Sequence, residues 1–173
     1  MILLWTTNDK WGSRLIRWGL GEPSSHLAVL FFEGTTPIVF HSNYSYGIHT
    51  TSLDDFRRCN KIVHMLQCPT APDEERELYK RLDEEVIGIG YDFYAIMYWC
   101  MAAFMRKFFG RQLPKENTME RTELVYCVEV LELIYEYLLE VGIELDVVDF
   151  SMMSPEQAYL VLSKCENLRD LPC

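Results

Sequence analysis

The stretch SSHLAVLFFEGTTPIVFHSN, residues 24–43, decides how this chain folds. Two apolar runs stand on either side of the turn sequence EGTT. Runs of this length, rich in β-branched and aromatic residues, predict two antiparallel strands joined as a hairpin, over residues 27–32 and 37–41. A histidine stands at the entrance to the first strand, where an imidazole can either satisfy backbone groups or serve as a base.

The hairpin loop determines which side chains share a face of the sheet. A two-residue or a four-residue loop through EGTT gives the same register, in which Ala28 lies opposite His41 and His26 lies opposite Asn43. Because side chains alternate between the two faces of a strand, all four then lie on one face. His41 becomes the diagonal neighbour of His26, within reach of a long side chain. A three-residue loop would instead move His41 to the other face.

The rest of the chain mixes strand and helix patterns. Ser13 can cap a short helix over residues 14–18, which Gly19 and Gly21 end. The sequence SPEQ, residues 154–157, predicts a capped helix start with proline at the first helical position. The remaining predictions are strands over residues 2–5, 61–67 and 146–150, and helices over residues 72–86, 91–110 and 126–140. This order favours one α+β domain over residues 1–173, with a mostly antiparallel sheet packed against helices.

Composition and charge narrow the class of protein. The 173 residues are 49% hydrophobic and carry a formal net charge of −10. The apolar share argues against intrinsic disorder. The acidic charge argues against nucleic acid and anionic lipid headgroups as main partners. The sequence gives no oligomeric state.

The longest nearly uncharged stretch is YDFYAIMYWCMAAFM, residues 91–105. About 13 residues separate Asp92 from Arg106, fewer than the roughly 20 that a bilayer-spanning helix needs. The sequence therefore favours a buried helix here over an exposed face that docks on a membrane or a partner. The N-terminal MILLW is too short for a secretion signal and has no basic segment before it. A cytoplasmic location is expected, or release by lysis if the protein is viral.

Six cysteines and four histidines are the candidate metal ligands. Reduced thiols are expected without a secretion signal, and the absence of any C-x-x-C pair argues against structural zinc. The spacings of the histidines match no standard ligand pattern, so we expect no metal and no cofactor. His49 lacks a placement like that of His26 and His41, and His64 is predicted to be a surface residue of its strand.

One cysteine has a position suited to chemistry. In TELVYCVEVLELIYEYLLEVG, residues 122–142, Cys127 lies on the inward apolar stripe near the first turn of the predicted helix. The helix dipole and free backbone N–H groups at such a position favour the nucleophilic thiolate. A thiol there and His26 at a strand end form the pair that nucleophilic catalysis uses. The alternative is that Cys127 packs as a small hydrophobe and His26 satisfies backbone groups.

The order of motifs resembles the circularly permuted, papain-like cysteine hydrolases of the NlpC type, especially the small YiiX-like bacterial and phage proteins. The segments that carry the resemblance are SSHLAVLFF, PIVFHSN, GIGYDF, YCVEVL and SPEQ. They extend over most of the chain. The resemblance implies a papain-like α+β fold in the permuted arrangement.

The resemblance also assigns roles to individual residues. Cys127 matches the nucleophile, His26 the base and His41 the third polar position, which is also histidine in the related lecithin retinol acyltransferase group. Asn43 remains the alternative for orienting the base. Val128 stands where the family usually has serine, which puts substrate preference in doubt.

The family contains several activities, so the resemblance leaves the substrate open. The first hypothesis is a thiol peptidase or amidase acting on amide bonds, for instance in peptidoglycan peptides. The second is a thiol acyltransferase or lipase acting on acyl esters, with residues 95–105 as an acyl or membrane surface. The third is an inactive papain-like module that binds without turnover.

Overall fold

The computed structural model describes most of the chain. The described residues are 1–43, 45–90, 92, 97–98, 101, 104–105, 108–110, 127–128, 130–142, 150 and 153–173, with Asn43 described by its backbone alone. Within them the fold is α+β, with helices on both faces of one antiparallel sheet.

Six strands form the sheet, in the order β4-β3-β2-β1-β5-β6, and every neighbouring pair is antiparallel. The central β1 therefore lies between β2 and β5. The strands are β1 (Ile2–Thr7), β2 (His26–Glu33), β3 (Thr36–Asn43), β4 (Gly47–Ser52), β5 (Lys61–Gln67) and β6 (Arg169–Leu171).

Five helices lie within the described part of the chain: α1 (Trp11–Leu20), α2 (Leu53–Cys59), α3 (Pro72–Glu85), α4 (Val130–Glu140) and α5 (Pro155–Leu162). The capping box predicted from SPEQ is confirmed, because the Ser154 side chain accepts from the Gln157 backbone N–H at 3.1 Å. In the ranges that the structure describes, no helix is both long and apolar enough to cross a bilayer.

The β2–β3 hairpin has the register that its sequence predicts. Glu33 pairs with Thr36, so the loop has two residues, and Ala28 pairs with His41. Gly34 in this loop has φ +64, a left-handed conformation that glycine adopts at little cost. This register therefore determines which side chains of β2 and β3 lie on each face of the sheet.

Each face of the sheet carries its own apolar core. The larger cluster lies on the side of α3, α4 and α5, and it contains Leu27, Val29 and Cys127. The smaller cluster lies on the side of α2, and it contains Ala28 and Phe56. A sheet covered on both faces needs apolar residues at successive strand positions, which explains the uninterrupted run LAVLFF in β2.

Several predicted boundaries are wrong. α1 begins at Trp11, so Ser13 lies inside the helix rather than at its cap, and Gly21 rather than Gly19 ends it, with φ +74. The helix predicted over residues 126–140 begins at Val130. The two errors in α1 arise because Ser13 and Gly19 lie inside the helix, although residues of these types often mark where a helix begins or ends.

Three elements have no counterpart in the sequence prediction: β4, α2 and β6. β4 carries GIHTTS and β6 carries RDL, and neither contains an apolar run long enough to predict a strand. Both form as outer strands by pairing with neighbours already in the sheet. The strand predicted over residues 146–150 lies outside the described residues except for Phe150, which belongs to no strand.

Gly47 begins β4 at a position where the neighbouring backbone leaves no room for a side chain. Its φ is +67, and a Cβ there would stand 2.1 Å from the Ile89 carbonyl oxygen. The Ile48 backbone N–H donates to that same oxygen at 2.9 Å, which joins residues 88–90 to the sheet edge. The close backbone approach thus needs a residue without a side chain.

We predict that Gly47→Ala lowers the free energy of unfolding more than Gly34→Ala does. Both glycines have positive φ, so both variants lose about 1 kcal/mol or somewhat more to backbone strain. Only Gly47→Ala adds a clash with backbone, which we expect to cost a further 1–3 kcal/mol or so. Urea unfolding of the two variants measures the difference, and equal losses would contradict the close approach at Gly47.

Candidate active site

Three histidines form a row on the face of the sheet that α2 covers. His26 begins β2, and His41 in β3 pairs directly with His49 in β4. The ring centroids of His26 and His41 lie 5.6 Å apart, and those of His41 and His49 lie 4.3 Å apart. The predicted proximity of His26 and His41 therefore exists in the structure.

Sequence reasoning missed His49, to which it assigned no placement beside the other two. The signal was present in the second hairpin, where Asn43 pairs with Gly47 and so brings His49 opposite His41. Its Nδ1 lies 3.1 Å from the Gly47 carbonyl oxygen. Asn43, Ser45 and Gly47 are turn-forming residue types, and a turn centred on Ser45 pairs Asn43 with Gly47.

Desolvation holds two of these imidazoles, the half-buried His26 and the buried His41, in the neutral form. Desolvation lowers the pKa of His26 to about 4, and His49 adds a smaller electrostatic contribution in the same direction. Desolvation also lowers the pKa of His41 to about 2, with further lowering from His26 and His49. A neutral imidazole has one ring nitrogen free to accept a proton at neutral pH.

His41 lies deepest in the row. Its ring packs against Phe56 of α2, with centroids 4.9 Å apart and the rings edge to face. Its Nδ1 is buried and has no hydrogen-bond partner among the residues that the structure describes. An unsatisfied buried nitrogen costs about 1–3 kcal/mol, so a group that completes this bond would be stabilised there.

The two serines before His26 fix the entrance to β2. The Ser24 hydroxyl donates to the Glu156 carboxylate at 2.6 Å, and the Ser25 hydroxyl lies 2.6 Å from that of Ser13. Both serines are buried. The polar residues of SSH therefore hold the backbone that positions His26, and they connect it to α1 and α5.

His64 is not the surface residue that its sequence predicts. Its ring stacks on Tyr159 with centroids 3.8 Å apart, and its Nε2 lies 3.2 Å from Glu156 Oε1. Glu156 thus joins His64 to Ser24. This contact across 92 residues has no sequence signal, because it depends on where α5 packs against the sheet.

Cys127 lies in a turn ahead of α4 and is 2% exposed. It belongs to the larger core cluster, together with Leu27 and Val29. Alternation along β2 directs His26 to the opposite face from those two residues. Within the described part of the chain, the His26 imidazole makes no hydrogen bond. A contact between the Cys127 sulfur and the His26 imidazole therefore remains a prediction, and such a contact would have to form around the open end of β2, where the strand begins.

The other residues that the sequence singles out have mixed outcomes. Val128, which stands in place of a serine, is fully buried, as is Asp92. The Asn43 side chain, the alternative for orienting the base, lies outside the described residues. The stretch predicted as a buried helix contains the buried Tyr98, but the exposed Met97, Met101 and Phe104 contradict burial of the whole segment.

Among the solved structures that match, YiiX resembles this fold over nearly the whole length of the chain. The match is the crystal structure of the metalloprotein YiiX from Escherichia coli O157:H7, described as DUF1105. The two share a TM-score of 0.53 and 13% sequence identity, over 99% of this chain and 94% of YiiX. The chain therefore has a YiiX-like α+β fold. No protein-family model and no curated protein sequence matches it.

The buried imidazoles predict that acid destabilises the fold. Both folded pKa values lie below the usual 6.5, so the unfolded chain binds protons first as the pH falls. The free energy of unfolding should therefore decrease from about pH 6.5 downwards, by on the order of 1–2 kcal/mol for each imidazole at pH 5. Loss continues to about pH 4 for His26 and about pH 2 for His41.

Denaturant unfolding at pH 7, 6 and 5 measures this dependence. The double variant His26→Gln/His41→Gln lacks both titrating groups, so its unfolding free energy should fall less steeply over this range than that of the wild type. Comparison of slopes is insensitive to any uniform loss of stability in the variant. Equal slopes would contradict neutral burial of the two imidazoles.

Proposed function

We propose that this protein is a thiol hydrolase with a permuted papain-like, NlpC-type arrangement. Cys127 is the nucleophile, His26 the general base, and His41 the residue that orients the base. The observation that carries the proposal is the pair of neutral imidazoles, His26 and His41, 5.6 Å apart at the serine-histidine strand entrance. The YiiX-like fold over the whole chain supports it at the level of fold.

The reaction begins with a proton transfer. The neutral His26 imidazole accepts the Cys127 proton as the sulfur attacks a substrate carbonyl and the S–C bond forms. The carbonyl oxygen becomes an oxyanion, for which the backbone N–H of Cys127 is the expected donor. Loss of one such donor typically lowers the rate about a hundredfold to a thousandfold.

The leaving group and the acyl group then depart in turn. His26 returns its proton to the leaving nitrogen or oxygen as the bond to the carbonyl carbon breaks. It next takes a proton from water, whose oxygen attacks the thioester; the S–C bond then breaks to release the acid, and His26 returns that proton to the Cys127 sulfur. His41 acts through His26 by holding its ring in one orientation, as the third member of a triad does.

The proposal requires Cys127 and His26 to meet at the open end of β2. His26 is the first residue of its strand, where a side chain can reach past the sheet to a group on the other side. Catalytic hydrogen bonds are often long without substrate and shorten in the reactive complex. Buried Cys127 would then become reachable when substrate enters beside the turn that precedes α4.

Amide substrates are the first choice, with peptidoglycan peptides as one source. The alternative is acyl transfer or lipolysis on acyl esters, since a thioester intermediate serves either acceptor. The exposed Met97, Met101 and Phe104 favour this alternative, because they give residues 95–105 an apolar surface. An inactive binding module is the third possibility, and it predicts an inert Cys127 thiol.

The solved neighbour is named a metalloprotein, and its metal has no fitting site among the described residues here. They contain no group of three or more histidine, cysteine or acidic side chains placed to hold a metal ion. His26, His41 and His49 likewise do not form a group placed to hold a metal ion. The proposed reaction therefore contains no metal step.

We predict that Cys127→Ala abolishes hydrolysis while its circular dichroism and unfolding midpoint stay close to those of the wild type. His26→Ala should lower kcat/KM about a hundredfold to ten-thousandfold. Labelled peptidoglycan, a fluorogenic peptide amide and a phospholipid measure activity in parallel. Activity on the phospholipid alone would favour the acyl-ester alternative, and full activity of Cys127→Ala on any substrate would contradict the mechanism.

Cys68→Ala is the matched control, because Cys68 is a second buried thiol with no proposed role. Burial raises the pKa of the Cys68 thiol to about 12, so it should resist iodoacetamide at neutral pH. Cys127 should react faster than Cys68, and His26→Ala should slow only Cys127. Mass spectrometry of the alkylated peptides distinguishes the two thiols. Equal resistance of both, with no turnover, would favour the binding module.

A further inference from the structure

The first helix directs its apolar stripe outward. Trp11, Leu15 and Trp18 follow helical spacing, yet Trp11 is 69% exposed and Trp18 is 52% exposed. The one buried residue of α1 is Ser13. A surface helix ordinarily turns its large apolar side chains towards the core, whereas α1 leaves its two tryptophans exposed.

The exposed stripe continues onto a second aromatic group. The Trp18 ring lies 6.1 Å from that of Phe108, and Phe104 lies 4.7 Å from Phe108 and 6.0 Å from Phe109. Phe108 and Phe109 are 55% and 63% exposed. We call Trp11, Leu15, Trp18, Phe104, Phe108 and Phe109 the aromatic surface. Contiguous exposed apolar surface of this kind marks an interaction site.

Cationic residues accompany the aromatic surface. Trp11, Arg14, Leu15 and Trp18 line a shallow, open cleft of about 400 Å³, so an arginine lines the same cleft as the two tryptophans. Lys10 and Arg17 belong to the same segment, and no acidic residue occurs from 10 to 21.

The sequence around the phenylalanines has the same charge. Residues 93–115 contain four basic residues, Arg106, Lys107, Arg111 and Lys115, and no acidic one. Together the two segments hold seven of the 16 basic residues and none of the 26 acidic ones. The whole chain has a net charge of −10, whereas the two segments that contain the aromatic surface carry only positive charges.

We propose that the aromatic surface docks on an anionic membrane. Exposed tryptophan and phenylalanine beside arginine and lysine suit the boundary between headgroups and acyl chains, where indoles concentrate and long cationic side chains reach the phosphates. A second copy of the chain is a poorer occupant, because a two-fold contact would bring two cationic surfaces together. The proposal does not depend on the chemistry of Cys127.

Vesicle sedimentation tests the proposal. The full chain and Cys127→Ala should both bind vesicles of phosphatidylcholine with 30% phosphatidylserine, measured against the same vesicles without phosphatidylserine and at rising salt. The double variant Trp11→Ser/Trp18→Ser should reduce the partition coefficient about tenfold or more. Arg14→Glu should reduce it about fivefold or more, since each basic residue near the surface contributes roughly that factor.

Leu160→Ser is the matched control, because Leu160 is an exposed apolar residue of a different helix, α5. It should bind like the wild type. Circular dichroism of each variant establishes that it is folded. No binding to phosphatidylserine vesicles, or unchanged binding of the tryptophan variant, would overturn the proposal. A dimer in light scattering that the tryptophan variant dissociates would also overturn it, in favour of a contact between copies.

Discussion

The register between β2 and β3 is the constraint on which the candidate site depends. The two-residue turn at Gly34 sets Ala28 opposite His41, and alternation then brings His26 and His41 to one face. A slip of one residue would exchange the faces of β3, so His41 would enter the larger core and Phe40 would leave it. Phe40 is fully buried in the larger core, and the loss of its packing there would oppose such a slip.

Two separate requirements meet at the start of β2. Hydrophobic burial on both faces holds the strand from Leu27 onwards, while hydrogen bonds from Ser24 and Ser25 hold the residues that precede it. His26 lies at the junction; it belongs to neither core cluster and makes no hydrogen bond of its own within the described residues. A side chain whose backbone is held on both sides has a fixed position yet remains available for chemistry.

The two proposals concern different parts of the molecule and different forces. The proposed chemistry concerns the histidine row, where desolvation keeps the imidazoles neutral and lowers their pKa, so the proton that His26 accepts must be stabilised by the Cys127 thiolate. The proposed docking depends on exposure of Trp11 and Trp18 and on locally positive charge. If both proposals hold, docking on a membrane would bring the protein close to lipid acyl esters, which are the alternative class of substrate.

The sequence by itself determined the hairpin, its register, the α+β class and the capped start of α5, because each follows from contacts between residues near in the chain. Only the tertiary structure decided that Glu156 joins Ser24 to His64 and that the tryptophans of α1 face outward. These depend on which surfaces pack together across the chain. An apolar stripe in a sequence specifies that a helix has two faces, and it does not specify which face the rest of the protein covers.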